Sequence, residues 1–236
     1  MNKKFKIIVY MNWESEGFIL SKRKFRENAI ILEVFTTDFG KVSGIVYGGT
    51  SRKVKNYLQL INKIYVNYTF KTDNRIGYFK TELIEAISPK YFNDKNKILC
   101  LNSIVSILKI LLPENQKLNN IYISLENLLI NLNNENWLVS YLNWELNLIS
   151  NLGFGFDTNK LNKNTDKKNF NIRIDNIEYK IPVFLLSKSY SEVTFHEIYE
   201  GLIFCRRLME NKFFIPNNIK FPQSRRMFEN NFYISN

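Results

Sequence analysis

The sequence predicts an α+β protein in which a five-stranded OB-type β-barrel precedes an all-helical domain that carries a small β-hairpin insertion. Short β-branched and aromatic segments separated by turn residues fill the first 88 residues. Apolar residues then recur at helical spacing, and Ser88-Pro89 marks the change because proline cannot continue a central strand. We therefore predict a nucleic-acid-binding OB domain over residues 1–88 and a helical domain over residues 89–236.

Five segments are the candidate strands of the barrel. Glycine, asparagine and aspartate stand between them as turn residues. The alternation of Val42, Gly44 and Val46 predicts that these three residues share one face of the third strand. Five short strands with this much lysine and arginine fit an OB-type barrel best. The predicted strands lie at residues 17–20, 29–35, 41–47, 64–70 and 79–87.

Three helices are predicted after residue 88. Their apolar residues keep to one stripe at intervals of three and four, which is typical of helices that pack together as a core. Pro113 ends the first helix, and Gly153 stands where a C-cap glycine follows the third. The three helices run over about 98–112, 118–132 and 136–152.

The remainder of the second domain begins with a hairpin at about 171–182. Two alternating segments flank Asp175-Asn176, a pair suited to a tight turn, and Pro182 closes the second strand. Helical spacing returns over about 193–213. A last short segment begins at Pro222.

The positive charge is concentrated in the strand region. The chain has 33 Lys and Arg residues against 22 Asp and Glu, a formal net charge of +11. Residues 1–80 hold 15 of the basic and 6 of the acidic residues, a net charge of +9. Basicity that arises from an AT-rich coding sequence should affect the whole chain. A polyanion partner for the first third explains the uneven charge better.

Several classes of protein are excluded by the sequence. Cys100 and Cys205 lie in apolar, helix-like segments without a CxxC partner, so neither a disulfide framework nor a zinc site is predicted. The longest apolar stretch, residues 98–112, is too short to cross a bilayer and is interrupted by polar residues. No targeting signal is recognisable. We predict a soluble cytoplasmic protein that does not associate with a membrane.

Catalytic motifs are scarce. His196 is the single histidine, and a metal site built on it with Glu200 needs further ligands that the sequence does not offer. The Gly153–Gly155 segment lacks the third glycine of a dinucleotide fingerprint, and Gly40-Lys41 has no upstream glycine loop. No set of carboxylates indicates two-metal chemistry. We predict a protein that is not an enzyme and that needs no cofactor or metal.

Two basic clusters in the barrel segment favour nucleic-acid binding. The first follows the first strand, and the second follows a glycine-containing loop at residues 48–51. OB barrels bind nucleic acid through strand faces and connecting loops, and tyrosines beside the second cluster are candidates to stack on bases. The predicted DNA-binding residues are Lys22, Arg23, Lys24, Arg26, Lys41, Tyr47, Arg52, Lys53, Lys55 and Tyr57.

An ordered series of motifs resembles the RecO family of bacterial recombination mediators. The barrel segment carries Trp13, Glu16-Gly17-Phe18-Ile19-Leu20, Glu27 to Thr36, Phe39-Gly40-Lys41, Tyr47 to Lys53 and Leu58-Gln59. The helical segment carries Trp144-Glu145-Leu146, Leu152 to Asp157, Phe221-Pro222, Arg225 and Phe228. The likeness covers most of the chain.

This resemblance implies a DNA-repair protein of the RecF pathway, associated with the nucleoid. Members of the family bind single- and double-stranded DNA and anneal strands coated by single-strand-binding protein. With RecR they help to load RecA, and they need no ATP of their own. The family grips the acidic C-terminal tail of single-strand-binding protein on its helical domain, for which Phe204, Arg206 and Arg207 are the candidates here.

Two features depart from the family pattern. Many relatives hold zinc with four cysteines after the Gly-Phe-Gly segment, whereas Leu161 stands near the expected first cysteine here. We therefore expect no zinc and a hairpin held by packing alone. Family chains also usually begin just before the Trp, so the sequence leaves open whether Met1 or Met11 is the start.

Three alternatives to a DNA mediator remain open from the sequence. The barrel is also suited to RNA, as an OB-fold module of translation or ribosome assembly. A metalloenzyme on His196 and Glu200 is a second alternative. A protein adaptor whose basicity has no ligand is the third.

Overall fold

The computed structural model describes residues 11–70, 76–155, 169–187 and 193–233. The chain forms two compact units, residues 1–119 and residues 120–236. The first ten residues, on which the choice between Met1 and Met11 as the start depends, lie outside the described part of the chain.

Five strands of the first unit form a closed barrel in the order β1-β2-β3-β5-β4. β1 pairs with both β2 and β4, and the pairing of β3 with β5 is parallel. Each strand therefore has two neighbours, which confirms the predicted OB-type architecture. The strands are β1 (Met11–Arg26), β2 (Ala29–Thr36), β3 (Gly40–Tyr47), β4 (Lys63–Phe70) and β5 (Gly77–Glu85).

Alternate apolar residues of the strands fill the barrel. Val42 and Val46 point into it, as the alternation of β3 predicted. Gly44 between them leaves room for the ring of Phe79, because a Cβ at this position would lie 2.5 Å from a ring carbon. The buried core of the barrel consists of Ile19, Ile30, Leu32, Val34, Val42, Val46, Leu58, Ile64, Val66 and Phe79.

β1 is far longer than the predicted segment at residues 17–20. Its first half pairs with β4, whereas residues 21–26 pair with β2 alone among the described strands. This second half is polar apart from Phe25 and shows no apolar alternation, because it lies beyond the barrel core. The first basic cluster therefore lies within a strand and forms one side of a β-hairpin.

The second basic cluster lies on a short helix, α1 (Arg52–Tyr57), which the sequence did not predict. Ser51 caps the helix, and its side chain accepts a hydrogen bond from the Val54 backbone N–H at 3.4 Å. Gly48 precedes the cap at a φ of +69°, a value that favours glycine. The helix has six residues and none of them is fully buried, so the sequence shows no apolar periodicity that would reveal it.

The first unit also contains α2 (Lys95–Leu111), whose N-cap Asp94 accepts a hydrogen bond from the Lys97 N–H at 3.1 Å. Lys41 of β3 donates from Nζ to the Lys109 carbonyl oxygen in the last turn of α2, at 2.8 Å. The compact first unit thus extends past the strands, and the boundary at residue 88 stays a prediction.

Glu33 of β2 offers a test of this part of the barrel. Burial raises the pKa of its carboxyl, although the Lys41 ammonium group opposes the shift, and Oε1 has no hydrogen-bond partner among the described residues. A raised folded-state pKa means that ionisation of Glu33 destabilises the fold. We expect Glu33→Gln to raise the free energy of unfolding at pH 7 and to change it little at about pH 4 and below. Urea unfolding at both pH values measures this, with exposed Glu135→Gln as control, and a less stable variant at pH 7 would contradict it.

The second unit is helical with one hairpin, as predicted. The hairpin turns at Asp175 and Asn176, whose φ values of +47° and +65° are those of a type I′ turn. Gly153 ends the segment after α4 at a φ of +93°, as expected of a C-cap glycine. The elements are α3 (Asn119–Asn131), α4 (Trp137–Ile149), β6 (Asn169–Ile174), β7 (Ile177–Pro182), α5 (Phe184–Ser187), α6 (Phe195–Met209) and α7 (Gln223–Asn230).

A buried ion pair joins α4 to α7. Arg225 donates to both carboxylate oxygens of Glu145, at 2.6 and 2.9 Å, and both side chains are 0% exposed. Tyr141 also donates to Glu145, at 2.6 Å, and Arg225 donates to Glu229 at 3.1 Å. Burial alone lowers the pKa of Arg225, but the Glu145 carboxylate raises it overall, so the guanidinium stays charged.

No helix in the described part of the chain combines the length and the apolar character that crossing a membrane requires.

Candidate nucleic-acid interface

The barrel brings the two basic clusters together. Lys22 of β1 donates from Nζ to the carbonyl oxygen of Leu58, the C-cap residue of α1, at 2.6 Å. The Lys22 side chain thus reaches from β1 to the end of the helix that carries the second cluster. Residues that are about 30 positions apart in sequence share one surface for this reason.

An open concavity of about 540 Å³ lies between the β1–β2 hairpin and α1. Three of its side chains are cationic. The other three carry one hydroxyl group and two amide groups, which can donate or accept hydrogen bonds. No carboxylate is among its lining residues in the part of the chain that the structure describes. The lining residues are Lys22, Thr50, Arg52, Lys55, Asn56 and Gln59.

The positive charges of this surface are not balanced by ion pairs within the described residues. Burial lowers the pKa of Lys22, and the Lys55 ammonium group lowers it further. None of the seven basic side chains of the two clusters forms an ion pair with another described residue. Like charges held together without counter-charge attract a polyanion.

The β1–β2 hairpin is cationic on both faces. Lys22 and Lys24 lie opposite core-facing residues of β2, and cross-strand partners share a face, so they point to the side of the concavity. Arg23 and Arg26 lie opposite the other set of β2 residues and point to the other side. All four are exposed.

The two predicted tyrosines differ in their surroundings. Tyr47 is 57% exposed and stacks on Tyr78 with ring centroids 5.5 Å apart, which leaves its other face open. Tyr57 packs against the barrel core, and its hydroxyl is 2.9 Å from the Thr81 carbonyl oxygen. Tyr47 therefore has a free ring face for a base, and Tyr57 has a structural role.

Exposed carboxylates collect on a different wall of the barrel. Glu14 and Glu16 of β1 lie beside β4, and Glu82 and Glu85 of β5 lie beside β4 from the other side. This wall is formed by the first half of β1, whereas the cationic hairpin is formed by its second half. Among the described residues, these four carboxylates therefore lie on a different part of the barrel from the two basic clusters.

Two family models match this chain. The family model "Recombination protein O N terminal" matches residues 11–87, and "Recombination protein O C terminal" matches residues 93–191. The chain belongs to the RecO family. The first match covers the whole five-stranded barrel.

Curated relatives carry the name "DNA repair protein RecO". The relative from Roseobacter denitrificans is 34% identical over 145 residues, 61% of this chain and 60% of its own length. That from Wolbachia sp. subsp. Drosophila simulans is 33% identical over 64% of this chain and 62% of its length. That from Ehrlichia chaffeensis is 32% identical over 67% and 65%. The matches thus span between 60% and 65% of these RecO relatives.

Two predicted site residues are withdrawn from their surfaces. Lys41 is 7% exposed, and its ammonium group is held at the end of α2, so it is not available to DNA. Phe204 is 1% exposed and packs edge-on against Tyr179, so it is not available to a partner. The sequence pattern could not show the withdrawal of Lys41, because it depends on the end of α2, which is distant in the chain.

The other two partner-binding candidates have different positions. Arg206 lies between two carboxylates, with Nε 3.0 Å from Glu229 Oε1 and Nη1 2.9 Å from Glu210 Oε2. Arg207 is exposed, and its guanidinium lies 5.5 Å from the centroid of the Tyr179 ring. Arg207 is thus the one of the three predicted residues with a charge open to a ligand.

His196 and Glu200 are one helical turn apart on α6, as expected, with Nε2 3.5 Å from Oε1. Glu200 also accepts a hydrogen bond from Lys180, a cation that competes with a metal for this carboxylate. No group of three potential metal ligands occurs in the residues that the structure describes. Leu161, near the expected first zinc cysteine, lies outside those residues.

The sequence prediction missed Phe25. It lies inside the first basic cluster and is 43% exposed, and the Arg26 guanidinium is 5.2 Å from its ring centroid. The signal available was an aromatic residue in an otherwise polar hexapeptide. The neutral lining residues Thr50, Asn56 and Gln59 were missed as well, because only the fold of α1 brings them to the concavity.

Proposed function

We propose that this chain is a DNA repair and recombination mediator of the RecF pathway that binds single- and double-stranded DNA and is not an enzyme. The observation that carries the proposal is the uncompensated positive surface formed by the β1–β2 hairpin and α1. Phosphates supply the missing negative charge, and their binding releases counterions. Membership of the RecO family supports DNA as the polyanion.

The two-faced hairpin supports annealing of complementary strands. Lys22 and Lys24 on one face and Arg23 and Arg26 on the other allow two strands to be held close to one hairpin. Neutralising both backbones lowers the repulsion that keeps complementary strands apart. The reaction needs no nucleotide, because base pairing itself supplies the free energy.

The proposed partners are RecR, the C-terminal tail of single-strand-binding protein, and RecA indirectly. Among the predicted residues, Arg207 supports recognition of an acidic tail, because its charge is exposed. The RecO relatives support this assignment through their name as DNA repair proteins. Mixing experiments with each purified partner test it, and Arg207→Glu should weaken binding of the tail peptide.

Binding to a single-stranded oligonucleotide should fall steeply with salt. Contacts by the five cations of α1 and the concavity-facing side of the hairpin predict a slope of log K against log salt of about −3.5, and contacts by all seven predict about −5. Fluorescence anisotropy of a labelled oligonucleotide between about 50 and 500 mM salt measures the slope. A slope near zero would contradict the proposal. RNA of the same sequence, compared at one salt concentration, separates the alternative, since contacts to the 2′-hydroxyl would favour RNA.

Annealing is tested on complementary strands precoated with single-strand-binding protein, without nucleotide. We expect the protein to accelerate the appearance of duplex over the coated strands alone. Acceleration that requires added ATP would overturn the non-enzymatic mechanism.

A further inference from the structure

Phe25 occupies an irregular position in the β1–β2 hairpin. Lys24 pairs with Ile30 and Arg26 pairs with Ala29, so β1 advances two residues where β2 advances one. Phe25 is the extra residue, which defines a β-bulge. A bulged residue has no cross-strand partner, and bulges commonly redirect a side chain at a functional site.

Phe25 is not a core residue. The ring is 43% exposed, whereas Leu20, at the other register shift of β1, is 1% exposed. The bulge at Leu20 thus serves the core, and the bulge at Phe25 turns an aromatic ring toward solvent. The Arg26 guanidinium is 5.2 Å from the ring centroid, and an exposed aromatic ring within a cationic strand is suited to stack on a nucleobase.

Resting on the proposed function, we propose that Phe25 stacks on unpaired nucleobases and makes the interface discriminate single-stranded DNA from duplex. Because the exposed Arg26 guanidinium lies close to the ring, a phosphate beside a stacked base meets a cation. An aromatic ring beside cations is the arrangement by which single strands are bound without sequence preference. In a duplex the base faces are already stacked on one another and are closed to Phe25.

The test compares Phe25→Ala with the wild type on three ligands of about 15 nucleotides: oligothymidylate, an abasic backbone of the same length, and a blunt duplex. We expect an approximately tenfold loss of affinity for oligothymidylate, with the affinities for the abasic backbone and the duplex and the salt slope unchanged. Phe25→Trp should restore oligothymidylate binding, because the indole stacks equally well.

Phe92→Ala is the matched control, because Phe92 is 60% exposed in the same unit and does not lie in the basic clusters. An equal loss on all three ligands would overturn the stacking role and indicate damage to the cationic surface. No loss on oligothymidylate would also overturn it, and would leave Phe25 as a contact for a protein partner. Failure of the proposed function is recognised separately, since the wild type would then bind none of the three ligands in a salt-dependent manner.

Discussion

Replacing Arg52 and Lys53 by glutamate is expected to weaken single-stranded DNA binding by on the order of 50-fold at about 50 mM salt. Both residues are exposed on α1, and Arg52 lines the concavity with Lys22. Each phosphate contact contributes about 0.7 to the slope of log K against log salt, so the loss of two contacts amounts to roughly this factor. Repulsion of phosphate by the new carboxylates adds to the loss.

The salt dependence distinguishes this effect from damage to the fold. The slope should become shallower by about 1.4, and the loss should shrink to about threefold at 0.5 M salt. Lys95→Glu with Lys220→Glu changes the net charge equally at exposed positions that do not line the concavity, so it serves as the control. Equal losses in the two double variants would show that net charge, and not this surface, drives binding. Unchanged affinity would support an adaptor whose basicity has no ligand.

Removing Arg225 is expected to destabilise the second unit by about 3–5 kcal/mol. The substitution Arg225→Met leaves the Glu145 carboxylate fully buried, with hydrogen bonds from the Tyr141 hydroxyl and the Cys205 thiol but no cationic partner at its former position. It also removes a donor to the Leu202 carbonyl oxygen, 2.9 Å away. A buried charge without its partner is far more costly than the pair is stabilising.

Urea unfolding followed by tryptophan fluorescence measures this loss, because Trp137 and Trp144 lie in the second unit on α4. The double variant Glu145→Met with Arg225→Met should be more stable than the single variant, since the uncompensated charge is gone. Lys220→Met, an exposed change in the same unit, should have little effect. A loss below about 1 kcal/mol for Arg225→Met would contradict the structural account.

The local patterns of the sequence predicted most elements of the fold for a definite reason. Alternation at Val42 and Val46 and helical stripes in α2, α3 and α4 report directly which residues face a core. Asp175-Asn176 predicted its turn because few residue pairs adopt two positive φ values. Residues 21–26 were missed because they lie beyond the core, where no apolar periodicity is required. The helix α1 was missed because only Val54 and Tyr57 of its six residues pack against the core, too few to make a periodic pattern.

The sequence predicted that the candidate site is basic, but it did not predict which residues come together to form it. The run Lys22–Arg26 and the residues Arg52, Lys53 and Lys55 were recognisable as basic clusters. Their approach depends on Lys22 reaching Leu58, a contact between distant segments. The withdrawal of Lys41 depends in the same way on the end of α2.

The order of strands and helices, the RecO likeness and the excess of cations in the first third were determined by the sequence alone. Those features depend on the side chains of neighbouring residues and on composition. Tertiary structure decided which cations face a common concavity, which are held inside the protein, and that Phe25 turns outward at a bulge. These depend on strand register and on contacts between segments far apart in the chain, and a shift of one residue in the register of β1 would send its side chains to the opposite face.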